Sequence, residues 1–342
     1  MLIFIVLLIL LFIISLHGIK KEGMLWIWTF ILSVILGFRG RDVGDDTARY
    51  IDNYYNTDLS LGIGHMEIGW QYCSSFFHNL GFSAYFFHFI VALFTLSCFS
   101  FVISKETNGR TRGIAFFLLY TLGFYLYMFN GMRQFVAIGI CFIAFYEINK
   151  GRSLIALGLI LFATLFHSSA AVALAMLFVK RLKISIGSAS IIFFVSLLIG
   201  VFAVRGFVYN LAGGYAHIID EHGFRTSLSF VFFVCITTCA FFLWIIYKVP
   251  GQKDNNWMKL FFASVVVQNV LCNVVYGPRI VFYFSTAQII SLALAYKDSH
   301  SALLKKIIYL YAFVTFFRFL LPELYRTEES LLPYYMTFTI FD

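Results

Sequence analysis

The chain has 342 residues, of which 61% are hydrophobic and only 12% charged. Its mean hydropathy is +0.86 and its formal net charge +8. A soluble domain carries about 25% charged residues, so this composition excludes a soluble enzyme and points to a polytopic membrane protein.

Apolar segments fall at 1–18, 24–38, 82–104, 113–129, 132–148, 154–167, 168–179, 186–204, 227–247, 257–276, 279–296 and 307–321. Together they predict an all-α fold of about 10–12 transmembrane helices in a single transmembrane domain, 1–342. Outer loops are expected at 39–81 and 205–226, with an outer tail at 322–342. Residues 1–18 have neither a basic n-region nor a small-residue cleavage site, so they read as a retained first span. The cysteines (Cys73, Cys98, Cys141, Cys235, Cys239, Cys272) are scattered without a CxxC pair, and read as small buried hydrophobes.

Residues 38–70 form the longest polar run. Asp42, Asp45, Asp46, Asp52 and Asp58 alternate there with Arg39, Arg41, Arg49 and Glu67, while its aromatic residues and spaced glycines argue against disorder. A loop this charged, and longer than a connector needs to be, marks function.

Later polar breaks carry the other candidates. Asn130-Gly131 is a turn signal that starts a helix near Met132. Arg133 then occupies a first turn, where free N–H groups and the helix dipole favour an anion. Tyr276-Gly277-Pro278-Arg279 repeats this arrangement, with proline suited to the first helical position. Two such arginines suggest a diphosphate clamp.

The pair 154–167 and 168–179 is flanked by Lys150 and Arg152 before it and by Lys180, Arg181 and Lys183 after it. Cytoplasmic loops carry excess Lys and Arg. Both ends therefore belong inside, and the segment reads as a broken or re-entrant hairpin, 154–179, with His167 at its turn. Irregular backbone at membrane depth is tolerated only where it is buried in protein or lines a wet cavity. With this hairpin, every lysine lies inside and most arginines outside. Arginine on the translocated side suits work on an anion; Arg–Asp pairing within the loops is the alternative.

Asp220-Glu221-His222 reads as solvated loop rather than a metal site, and Tyr334-Tyr335 as interface anchors or sugar-stacking rings. No metal or other cofactor is called for. There is no G-x-x-x-x-G-K-[ST], H-E-x-x-H or G-x-S-x-G motif.

These motifs, in order, resemble the EpsG family of bacterial exopolysaccharide and O-antigen polymerases, which are Wzy-like. The matching residues are Arg39, Gly44-Asp45-Asp46-Thr47 with Tyr50, Glu67-Ile68-Gly69-Trp70, Asn130-Gly131-Met132-Arg133-Gln134, His167-Ser168-Ser169-Ala170, and Arg279 before Phe282-Tyr283. The departures are Asp45, where the family more often has threonine, and the additional Arg41 and Asp42.

The resemblance implies a membrane-embedded, GT-C-like glycosyltransferase in the bacterial cytoplasmic (inner) membrane, with its active face periplasmic or extracellular. Its substrates would be undecaprenyl diphosphate-linked oligosaccharides, and its partners a flippase and a chain-length regulator. Expected on the diphosphate are Arg133 and Arg279, then Arg39. The expected base is His167, then Asp46 or Glu67. Tyr50 and Gln134 are expected at the sugar. The rival classes are a lipid-linked oligosaccharide flippase, an O-antigen ligase and a membrane sugar O-acyltransferase.

Overall fold

The computed structural model of the chain describes residues 1–56, 66–203, 229–274, 277–323 and 330–341. The expected loop 205–226, with Asp220-Glu221-His222, lies outside the described residues, as do Asp58, Tyr276 and Arg326.

Among the described residues the only regular secondary structure is helical, apart from three isolated β-bridges. In chain order the α-helices are α1 (Leu2–His17), α2 (Glu22–Gly37), α3 (Thr47–Tyr55), α4 (Ile68–Asn79), α5 (Ala84–Glu106), α6 (Gly109–Thr121), α7 (Phe124–Tyr127) and α8 (Met132–Asn149). Then come α9 (Ser153–Thr164), α10 (Ile186–Leu198), α11 (Ser229–Lys248), α12 (Asn256–Val270), α13 (Gly277–Ser285), α14 (Ala287–Asp298) and α15 (Ala302–Glu323).

Among the described residues four stretches are long and apolar enough to cross a bilayer: α5, α8, Ile186–Ala203 and Phe230–Lys248. The pair α13–α14, bent by 43°, makes a fifth if it counts as one broken span. Helices α1 and α2 are apolar but have 16 residues each, about 24 Å at 1.5 Å per residue. Large apolar side chains stay exposed on α1 (Ile9, Ile13), α10 (Ile191, Phe194) and α11 (Phe230, Phe233). Hydrocarbon tolerates such surfaces and water does not. The chain is an all-α polytopic membrane protein.

It packs as two units, Met1–Leu174 with Lys306–Asp342, and Ala175–Lys305. In the first, α1 packs on α6, α2 on α5, and α8 on both α5 and α9. Lipid tails are as apolar as leucine, so helices in a bilayer associate through close packing rather than hydrophobic burial. Gly37 on α2 lies where a Cβ would fall 2.2 Å from the Phe89 backbone of α5, and Gly113 on α6 where it would fall 2.7 Å from the Ile14 carbonyl of α1. Helix α8, with Arg133 in its first turn, is the most enclosed span, 83% buried over its window.

In the second unit α12 packs on α10, α13 and α14. Its buried Asn269 donates from Nδ2 to the Ser196 Oγ at 3.0 Å and the Phe193 carbonyl at 3.3 Å, both on α10.

Three local features differ from the sequence reading. Segment 113–129 is not one helix: α6 stops at Thr121, and Gly123 (φ 88°) turns the chain into α7. The ring of Phe319 sits where a Cβ of Gly123 would be, which requires glycine here. The described part of the polar run 39–81 holds two helices, α3 and α4. Finally, the chain does break around His167, but the next element is a 3-10 helix, Ser168–Arg181. Its 14 residues extend about 28 Å at ~2.0 Å per residue.

The tail, residues 330–341, is extended and lies against the first unit. Arg39 bridges Met336 and Phe82 bridges Phe341, both antiparallel. Gly44 donates its N–H to the Ser330 carbonyl at 3.0 Å, Gly40 to Tyr335 at 2.9 Å, and Ser83 to Ile340 at 2.9 Å.

Candidate functional site

Glu67 is the N-cap residue of α4, in extended backbone. Its carboxylate accepts three hydrogen bonds from two distant parts of the chain. Arg133 Nη1, at the start of α8, donates to Oε2 at 2.5 Å. His167 Nδ1 lies 2.9 Å from Oε1, and the Ser168 backbone N–H donates to the same oxygen at 3.1 Å. The three side chains are partly open, at 17% exposure for Glu67, 16% for Arg133 and 26% for His167.

Each neighbour of this cluster has a structural reason. At Gly69 the backbone N–H donates to the Leu165 carbonyl at 2.8 Å. A Cβ there would lie 2.7 Å from that oxygen, so glycine lets α4 seat directly on the break after α9. Trp70 is buried against Tyr50, with centroids 5.3 Å apart, and Phe87, at 5.2 Å. The Glu-x-Gly-aromatic motif therefore reads, in order, as acceptor, close contact and anchor.

Helix α3 supports the cluster from the other side. Gly44 (φ 93°) packs on Phe129 and Asn130, and Asn130 Oδ1 accepts the Asp45 N–H at 3.0 Å. This joins the first polar motif to the turn that begins α8. Tyr50 on α3 lies under the Arg133 guanidinium, whose Cζ is 5.8 Å from the ring centroid.

The electrostatics follow from this geometry. Burial by itself pushes the Glu67 carboxyl up. Its own N–H, the Ser168 N–H, Arg133 and His167 outweigh that, and the net value is below the ordinary one. Glu67 is thus an anion that can only accept, which assigns the Nδ1 proton to His167, so that whenever the ring is neutral Nε2 is its basic nitrogen.

The other expected site residues are placed differently. Arg39 is 0% exposed. Its Nε donates to Thr47 Oγ1 at 2.9 Å, Nη1 to the Leu36 carbonyl at 2.7 Å and Nη2 to the Phe129 carbonyl at 3.1 Å. Burial pulls its guanidinium down to about 10. Its guanidinium thus braces the backbone at Leu36 and Phe129 and the Thr47 hydroxyl. Asp46 is ion-paired with Arg49 at 2.6 Å and Arg41 with Asp52 at 2.8 Å, so the loop pairs account for those charges.

Tyr50, 3% exposed, and Gln134, 5% exposed, are buried and present little surface. Arg279 is exposed in the first turn of α13, which starts at Gly277 as the Gly-Pro signal implies. It belongs to the second unit. Among the described residues no three His, Cys, Asp or Glu side chains form a metal-binding group.

The comparison with known families spans these motif residues. The EpsG family model covers residues 23–336, nearly the whole chain. The chain belongs to the EpsG family. No curated protein and no solved structure gives a match. Family membership carries a coarse function, a polymerase-type role in polysaccharide biosynthesis. Within this EpsG chain, four of the motif segments (39–50, 67–70, 130–134 and 167–170) lie in one unit, and the last three meet at Glu67.

Proposed function

We propose that this EpsG protein is a repeat-unit polymerase acting on the periplasmic or outer face of the membrane. The growing glycan leaves undecaprenyl diphosphate and is joined to a sugar hydroxyl of the next lipid-linked unit. The observation that carries this reading is the Glu67 carboxylate shared by Arg133 and His167.

The reaction has two electrostatic needs. The acceptor hydroxyl must lose a proton as it attacks the anomeric carbon, and His167 Nε2 is the base that takes it. Glu67 holds the ring tautomer through Nδ1 and stabilises the imidazolium that forms. As the new C–O bond forms, the bond from the anomeric carbon to the diphosphate oxygen breaks, and that oxygen leaves with the electron pair. Arg133, at the positive end of α8, offsets the charge developing there. Neither role requires a metal ion. A role for Arg279 is carried by its sequence motif alone, and its own substitution tests it.

The test is an electrophoretic ladder of surface polysaccharide from a deletion strain carrying wild type, Arg133→Ala, Arg279→Ala or His167→Ala, with membrane levels checked. Long chains restored by wild type alone, over single repeat units in the deletion, are the expected result. If lipid-linked units accumulate with no surface sugar, the protein acts in export or ligation instead.

A further inference from the structure

Helix α4 has two unlike faces. Trp70 and Ser74 are buried, while Ile68, Tyr72 and Phe76, one helical turn apart, are 54%, 69% and 60% exposed. The stripe begins one residue after Glu67. Where Gly69 meets Leu165, it adjoins a second exposed apolar row on the end of α9, Phe162 at 46% and Leu165 at 41%. This second row ends two residues before His167. Two apolar rows thus converge on the one place where the backbone contact also delivers an ionised carboxylate, a guanidinium and an imidazole.

A lipid diphosphate has the complementary form: an anionic head with a long apolar chain. A head held by Arg133 needs its chain to leave along apolar surface that is open to the bilayer. The rows on α4 and α9 provide exposed apolar surface that begins one residue from Glu67, the carboxylate paired with Arg133, and ends two residues before His167. We infer that the seam between α4 and α9 is the groove for the polyprenyl chain of the lipid-linked substrate. This rests on the reading that Arg133 receives the diphosphate. Ordinary lipid would wet the same surface, but would have no reason to prefer it over the exposed face of α1.

That preference is what the experiment measures. Full-length protein in proteoliposomes carries p-benzoylphenylalanine at position 72 or, as the lipid-facing control, at position 13 of α1, and is irradiated with radiolabelled undecaprenyl diphosphate. The expected result is labelling at position 72 that saturates and is lost on competition with unlabelled undecaprenyl diphosphate, with weak, unsaturable labelling at position 13. Equal and unsaturable labelling at both positions overturns the seam, and so does a protein adduct at position 72, which would assign the stripe to a partner subunit. Proteoliposomes of the position 13 protein, whose seam is unaltered, are given the lipid-linked repeat unit and assayed for polymer. Polymer without saturable labelling removes the seam and leaves the polymerase reading. Saturable labelling without polymer does the reverse.

Discussion

Arg39 and Arg133 invite comparison, because both stand in family motifs, both lie in the first unit and both look equally suited to an anion from sequence. Arg39 is wholly buried, and its donors go to the carbonyls of Leu36 and Phe129 and to Thr47. Arg133 is partly open and holds a carboxylate that also orients an imidazole. The difference is one of partners. A guanidinium that satisfies backbone carbonyls fixes two chain segments to each other. One that faces an ionised group near the surface keeps a place in an electrostatic network that a substrate can enter. Two arginines in one motif set therefore do two jobs, and substitutions should separate them.

The largest effect is expected at the dyad. His167→Ala or Glu67→Ala should reduce polymer formation by about 10²–10⁴-fold, the usual worth of a positioned base, with membrane levels near wild type. A full-length ladder from either variant would remove the site.

Next, Arg39→Ala should act on stability. It strands buried acceptors, each costing about 1–3 kcal/mol, so the detergent-solubilised protein should melt markedly lower, while the activity of each folded molecule is kept. Arg133→Lys should show the opposite pattern, an unchanged melt with activity down roughly tenfold or more, because an ammonium lacks the planar fork that spans Glu67 and Tyr50. If the two variants behave alike, the comparison fails.

Acidity sharpens the same contrast. The folded-state value of Glu67 is depressed. Its contribution to stability is therefore complete above the ordinary carboxylate value of about 4.3 and is lost as pH falls through the depressed one. Melting against pH should show this acid loss in wild type and in Arg39→Ala. Glu67→Gln should be less stable at neutral pH and flatter on the acid side.

Gly69→Ala should give a smaller loss of activity by pushing α4 off Leu165, and Gly69→Ser should do no better. The smallest effect is expected at Tyr335→Phe, which removes only two exposed hydrogen bonds with Asp42, one donated to its carboxylate and one accepted from its backbone N–H. Its melting should change by no more than about 0.5 kcal/mol.

Helix starts were legible where backbone chemistry is local. Asn130-Gly131 and Gly277-Pro278 announce α8 and α13, and the basic residues around 154–179 announce a break near His167. Candidate residues were legible as types. Their pairing was not, because Glu67 lies 66 residues from Arg133 and 100 from His167, and no periodicity encodes such contacts. Helices α3 and α4 were hidden by polarity, since their buried faces close on Phe87 of α5 through Tyr54 and Trp70. The burial of Arg39 was equally hidden, as charge suggests solvent until the carbonyls that replace it are known.

The extended tail adds a matter of timing. Tyr334 and Tyr335 bond to Ile35 and Asp42 across 299 and 293 residues, and the neighbouring backbone pairs with residues 38–44 and 82–83. At about 5–20 residues made per second, the loop that presents Arg39 and leads into α3 waits roughly 15–60 s for its brace. During synthesis the polar segment 38–44 is therefore braced only after the tail has been made.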